Sequence, residues 1–148
     1  MNSNNKITLK FLSLSQNEAF ARNVAACFAL QLNPSLAQIS DIKTAVSEAV
    51  TNAIVHGYPE KSGEVIMECE IIDDLLHINI IDHGVGIMNV EQAIEPFYTT
   101  KESEERSGMG FTIMKSFMDD VKVVSKVGEG TKIYMTKKIN AEIKGENA

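Results

Sequence analysis

The chain has 148 residues, 44% of them hydrophobic, which is enough for one domain with a buried core. Its formal net charge of −6 argues against broad binding to nucleic acid or to a membrane surface, since both want a basic field. The apolar runs are too short to span a bilayer and Met1-Asn-Ser-Asn-Asn-Lys6 lacks the apolar core of a signal peptide, so a cytoplasmic location is expected.

In chain order, residues 6–14 alternate Ile7, Leu9 and Phe11 with Thr8 and Lys10, as a strand does. Ser15-Gln-Asn-Glu18 has the form of a capping box and predicts a helix to about Leu32, with Phe20, Val24, Cys27 and Phe28 facing inward. Asn33-Pro34 stops that helix and starts the next element. A second helix is predicted from about Leu36 to His56, where Ile42, Val46, Ala49, Val50, Ala53 and Ile54 share one arc. Gly57-Tyr58-Pro59 ends it. Strands follow over 63–72 and 75–82, joined at Asp73-Asp74, then a short helix near 89–94. Residues 95–107 are polar and charged and read as a loop. A helix over 109–118 and strands over 121–127 and 131–139 complete the order, with Gly128-Glu-Gly130 as the last turn and a frayed tail from Ala141. Cys27 and Cys69 lack metal-ligand spacing and read as buried, reduced thiols. The order β-α-α-β-β-loop-α-β-β predicts an α+β two-layer sandwich, with helices on one face of a mixed sheet. Long loops in compact domains usually carry function.

Three segments carry chemistry. Glu48, Asn52 and His56 are four residues apart, and each such step drifts only ~40° around a helix, so they form one polar row beside the apolar arc. Asn52 offers a neutral oxygen suited to Mg²⁺ among phosphates, and Glu48 can take a proton from a nucleophile. Asp82-His-Gly84-Val-Gly86 follows an apolar strand; its carboxylate can accept an amino N–H, and its glycines allow a sharp turn or a close approach to a flat ring. Gly108-Met109-Gly110-Phe111 opens a helix whose free backbone N–H groups can cradle phosphates. Before it, Thr99-Thr100-Lys101 and Arg106-Ser107 supply hydroxyls and cations suited to a lid. Each segment alone has a plainer reading: a solvated helix face, a strand-end loop, a flexible junction. Neither a P-loop nor a dinucleotide fingerprint is present.

Taken together, Glu48-x3-Asn52, Asp82-x-Gly84-x-Gly86 and Gly108-x-Gly110 resemble the N, G1 and G2 boxes of the GHKL ATP-binding superfamily. Gly130-Thr131 resembles the strand that completes its adenine pocket. The flanks Ser15-Gln-Asn-Glu-Ala-Phe-Ala-Arg22, Phe97-Tyr-Thr-Thr-Lys101 and Arg106-Ser-Gly-Met-Gly-Phe-Thr-Ile-Met114 are similar to the anti-sigma-factor serine kinases of sporulation. The resemblance covers about residues 6–139. It implies a Bergerat fold and a homodimer. It implies ATP and Mg²⁺ as cofactors, with ADP as product. It also implies two protein partners: a sigma factor (sigma F), held in the ATP state, and an anti-anti-sigma factor, phosphorylated on serine. In that pattern Glu48 is the catalytic base, Asn52 the magnesium ligand, Asp82 and Thr131 the adenine contacts, and Arg22 the contact to both partners. Alternative readings are an anti-sigma kinase of the general stress response and a hydrolytic GHKL ATPase, in which Glu48 activates water.

Overall fold

The computed structural model describes residues 4–95 and 110–139. Strand β1 is Asn5–Leu12, followed by helix α1, Gln16–Ala29, and a short 3₁₀ turn, Leu30–Leu32. Helix α2, Leu36–Thr51, runs directly into a π-helical turn, Asn52–Gly57. Strands β2, Glu64–Ile72, and β3, Leu75–Asp82, come next, then the one-turn α3, Val90–Ala93. Helix α4, Gly110–Phe117, leads into β4, Asp120–Lys126, and β5, Gly130–Lys138.

The five strands lie in the order β1-β2-β3-β5-β4. Every pairing among them is antiparallel, so the expected mixed sheet is corrected on this point. The cause is the pair of helices between β1 and β2. Each helix reverses the chain, so two of them return it running against β1. The β2–β3 and β4–β5 connections are hairpins, and β5 inserts between β3 and β4.

Side chains of one face form transverse rows across the sheet. One row is Leu9, Met67, Ile80, Ile133 and Val123; the next is Ile7, Cys69, Ile78, Met135 and Val121. The central three residues of each row are buried. The helices cover this face. α1 packs on α2, and α2 packs on α4. Burial pushes the Cys69 thiol up to about 12, so it stays protonated in the core. Cys27, expected to be buried as well, is exposed.

Two local expectations for α1 are also corrected. Ser15 is itself helical and makes no side-chain cap. Glu18 pairs instead with Arg22 at 3.1 Å. The capping box belongs to α2, where Ser35 Oγ accepts from the Gln38 N–H (3.1 Å) and Gln38 Oε1 accepts from the Ser35 N–H (2.9 Å). The core-facing side of α1 is Ala21, Ala25, Phe28 and Ala29, small enough to let α2 come close. Phe20 and Cys27 stand outside it, and Phe20 is 57% exposed.

Candidate functional site

The site begins where the apolar rows stop. The last row across the sheet is Phe11, Val65, Asp82, Thr131 and Ser125. Along β3, Leu76, Ile78 and Ile80 are buried, and Asp82 continues the same alternation. A carboxylate and two hydroxyls therefore occupy positions in phase with the core. Asp82 is only 4% exposed. Buried polar groups demand partners, and these have them. Asp82 Oδ1 accepts the Gly84 N–H at 2.9 Å. Burial raises the Asp82 pKa above the usual carboxylate value; the Gly84 and Thr131 N–H groups and nearby His83 pull the other way.

Ser125 ties the next corner. Its hydroxyl accepts the Ile87 N–H (2.7 Å), donates to the Gly130 carbonyl (3.0 Å) and lies 2.8 Å from Thr131 Oγ1. The loop after β3 is held by backbone bonds, with the Val85 N–H donating to the Gly57 carbonyl (2.9 Å) and the Gly128 N–H to the Val85 carbonyl (2.8 Å). Tyr58 supports it from below. Its hydroxyl accepts the His83 N–H and donates to the Glu64 carbonyl, both at 2.7 Å.

The glycines are packed by the protein itself. A Cβ at Gly84 would meet the Gly57 carbonyl, and one at Gly86, whose φ is +79°, would meet the Lys126 carbonyl. Gly57 itself presses on Asp82: a Cβ there would lie 2.8 Å from the carboxylate carbon. A left-handed φ at Gly86 favours glycine.

Glu48 lies on α2, and Asn52 follows it at the start of the π turn. Both are half-buried. Asn52 opens the π turn, and that turn delivers Gly57 onto Asp82. The sequence reading placed Glu48, Asn52 and His56 on one continuous α-helical row. A π turn begins at Asn52, so the regular α-helical row ends at that residue. π turns inside helices recur at functional sites. Gly110 and Phe111 start α4, which packs on α2; Phe111 and Met114 are buried. Arg22 lies on α1, across α2 from α4, with its side chain about one-third exposed and held by Glu18. Thr99, Thr100, Lys101, Arg106, Ser107, Gly108 and Met109 lie outside the described residues.

Sequence reasoning missed Gly57, Tyr58 and Ser125 as parts of this corner. A signal for Ser125 was present: it is in phase with Val121 and Val123 along β4, as Thr131 is with Ile133 and Met135 along β5.

The sheet order, the helix layer and the polar corner at the end of β3 now meet a matching family. The histidine kinase-like ATPase domain family matches residues 12–137. The chain belongs to that family. Within it, the anti-sigma F factor of Clostridium acetobutylicum is 57% identical over 135 residues, covering 90% of this chain and 94% of that one. The anti-sigma F factor of Caldanaerobacter subterraneus subsp. tengcongensis is 54% identical over 139 residues, covering 94% and 97%. Two solved structures share the fold at low identity. The RsbU and RsbW domains of Rv1364c from Mycobacterium tuberculosis match with a TM-score of 0.65 at 16% identity, over 91% of this chain and 32% of that chain. Full-length ShkA in complex with AMPPNP matches with a TM-score of 0.59 at 16% identity, over 85% of this chain and 30% of that chain. The histidine kinase-like ATPase fold is thus a feature this chain shares with its family.

Proposed function

We propose that this chain is an anti-sigma factor and an ATP-dependent serine kinase. It holds a sporulation sigma factor (sigma F) in its ATP-bound form, and it inactivates an anti-anti-sigma factor by phosphorylating a serine. The observation that carries the nucleotide reading is Asp82. Its carboxylate is buried and accepts one backbone N–H, yet a carboxylate has about four lone-pair positions, so room remains for a ligand amino group. The curated relatives named anti-sigma F factors supply the rest of the assignment.

Asp82 and Thr131 receive the adenine. Asn52 contributes one amide oxygen to Mg²⁺, which neutralises phosphate charge when bound. Among the described residues no group of three or more His, Cys, Asp or Glu could hold a metal by itself, and a single amide suits an ion liganded mostly by phosphates and water. Glu48 orients the serine hydroxyl and takes its proton. Phosphoryl transfer needs mainly positioning and charge neutralisation, so one carboxylate suffices for the proton. Lys101, Arg106 and the Gly108–Gly110 amides are assigned to the phosphates on motif and chemistry alone. Arg22 is assigned to both protein partners; it must then exchange Glu18 for a partner carboxylate. A second copy of the chain is assigned to the edge strand β1 and the exposed apolar side of α1, where Ile7, Phe20, Val24 and Cys27 line one groove. Phe20→Glu should shift the sedimenting species to a monomer; an unchanged dimer would move the interface elsewhere.

The deciding experiment mixes the protein with labelled ATP, Mg²⁺ and a candidate anti-anti-sigma protein. Label on the partner's serine supports the kinase reading, whereas release of free phosphate alone supports the hydrolytic one. Glu48→Ala should keep nucleotide binding and lose transfer, and Asn52→Ala should lose the magnesium-dependent part of binding. Full transfer by Glu48→Ala would refute the base.

A further inference from the structure

We propose that Ser125 is a specificity-determining residue: it takes up the hydroxyl proton of Thr131, so that Asp82 and Thr131 offer a ligand only acceptors and thereby select a 6-amino purine over a 6-oxo purine. The proposal rests on the nucleotide reading above and deepens it.

A serine hydroxyl has one hydrogen and two lone pairs. Ser125 Oγ has three close partners: the Ile87 N–H at 2.7 Å, the Gly130 carbonyl at 3.0 Å and Thr131 Oγ1 at 2.8 Å. The N–H only donates and the carbonyl only accepts. If Ser125 gives its hydrogen to Gly130, Thr131 must donate to Ser125, and all three contacts are hydrogen bonds. If Ser125 instead donates to Thr131, its oxygen and that of Gly130 stand 3.0 Å apart with no proton between them. The first arrangement satisfies every group at a half-buried site and is the one assigned.

Its consequence reaches the floor of the corner. Thr131 is buried, its single proton is spent on Ser125, and it sits opposite Asp82 in the β3–β5 register. The Gly84 N–H is already bonded to the Asp82 carboxylate. A 6-amino group brings the donors this floor lacks. A 6-oxo group brings a further acceptor and is left unpaired or repelled, a loss that binding sites exploit for discrimination.

Isothermal titration of the full chain with ADP and with IDP, each with Mg²⁺ at neutral pH, tests this. The wild type should prefer ADP. Ser125→Ala frees the Thr131 proton to meet a 6-oxo group, and the ADP-to-IDP affinity ratio should fall about tenfold. Ser125→Thr keeps the hydroxyl and should keep the wild-type ratio. Thr131→Val should weaken ADP without strengthening IDP. General loosening of the fold lowers both affinities together and leaves the ratio alone, so the ratio isolates the proton. An unchanged ratio in Ser125→Ala overturns the proposal; if that variant does not fold, an unchanged ratio in Thr131→Val does so. A wild type that binds neither nucleotide removes the nucleotide reading itself, whereas one that binds both equally removes only the role of Ser125.

Discussion

Gly57→Ala is the sharpest test of the corner, because it adds one methyl group to a site whose chemistry it does not otherwise touch. The new Cβ would stand 2.8 Å from Asp82 Cγ and 2.9 Å from each carboxylate oxygen. Ordinary contact starts near 3.4 Å, so the carboxylate must give by about 0.5 Å. It has nowhere easy to go. Asp82 is 4% exposed and is bonded to the Gly84 N–H. Moving it strains or breaks that charge-assisted bond, worth ~1.5–3 kcal/mol. With the overpacking, the expected destabilisation is about 2–3 kcal/mol. Gly57 carries no positive φ, so alanine's backbone preference adds nothing to this figure.

The same displacement moves the group assigned to the adenine, so ADP affinity should drop by at least about tenfold. Urea unfolding gives the first quantity and calorimetric titration the second. Gly128→Asn is the control. Its φ is +84°, which asparagine tolerates, and an added Cβ there meets nothing within 4 Å. The reasoning fails if Gly57→Ala matches the wild type in both stability and ADP affinity, because the Asp82 carboxylate would then have slack that the packing denies.

Two further predictions follow from single groups. The Asp82 pKa is raised in the fold, so the protonated form is favoured there: in the ligand-free protein its contribution to stability is full below the unfolded carboxylate value and is lost as pH rises through the raised one. The difference in unfolding free energy between wild type and Asp82→Asn should therefore slope across that window, while ADP affinity, which needs the ionised acid, should weaken as pH falls through it; a flat difference would show that burial does not govern this group. Lys137, with its side chain 11% exposed, donates to the Phe117 carbonyl at the end of α4 (2.7 Å) and lies 3.4 Å from the Asp41 carboxylate on α2. Lys137→Ala should cost about 2–3 kcal/mol in urea unfolding through the lost charge-assisted bond and the stranded carboxylate, and an effect below about 0.5 kcal/mol would refute that anchoring.

What the sequence made legible depended on how many partners a pattern can have. The β3 alternation Leu76-Ile78-Ile80 has one solution, because only one face of the sheet is covered by helices, and it carries Asp82 to the site with it. Helix α1 has two apolar stripes, and periodicity finds stripes without saying what covers them. Phe20 and Cys27 mark the more conspicuous one. The core takes the other, Ala21, Ala25, Phe28 and Ala29, because α2 needs close approach more than bulk. The polar row Glu48-Asn52-His56 assumes one helical pitch, but a change of pitch at Asn52 leaves no mark in residue types, so the π turn is illegible. Gly57 carried the same ambiguity. A glycine after a helix reads as a stop signal, and only the fold shows that its missing side chain makes room for the Asp82 carboxylate. Ser125 differs from these. Its phase along β4 matched Val121 and Val123, and a hydroxyl in core phase at the same end of the sheet as Asp82 and Thr131 has to bond to something. Polarity that breaks an apolar phase at one shared end of several strands is thus a signal for a site, and it locates the residues that hold the ligand-binding groups as well as those groups themselves.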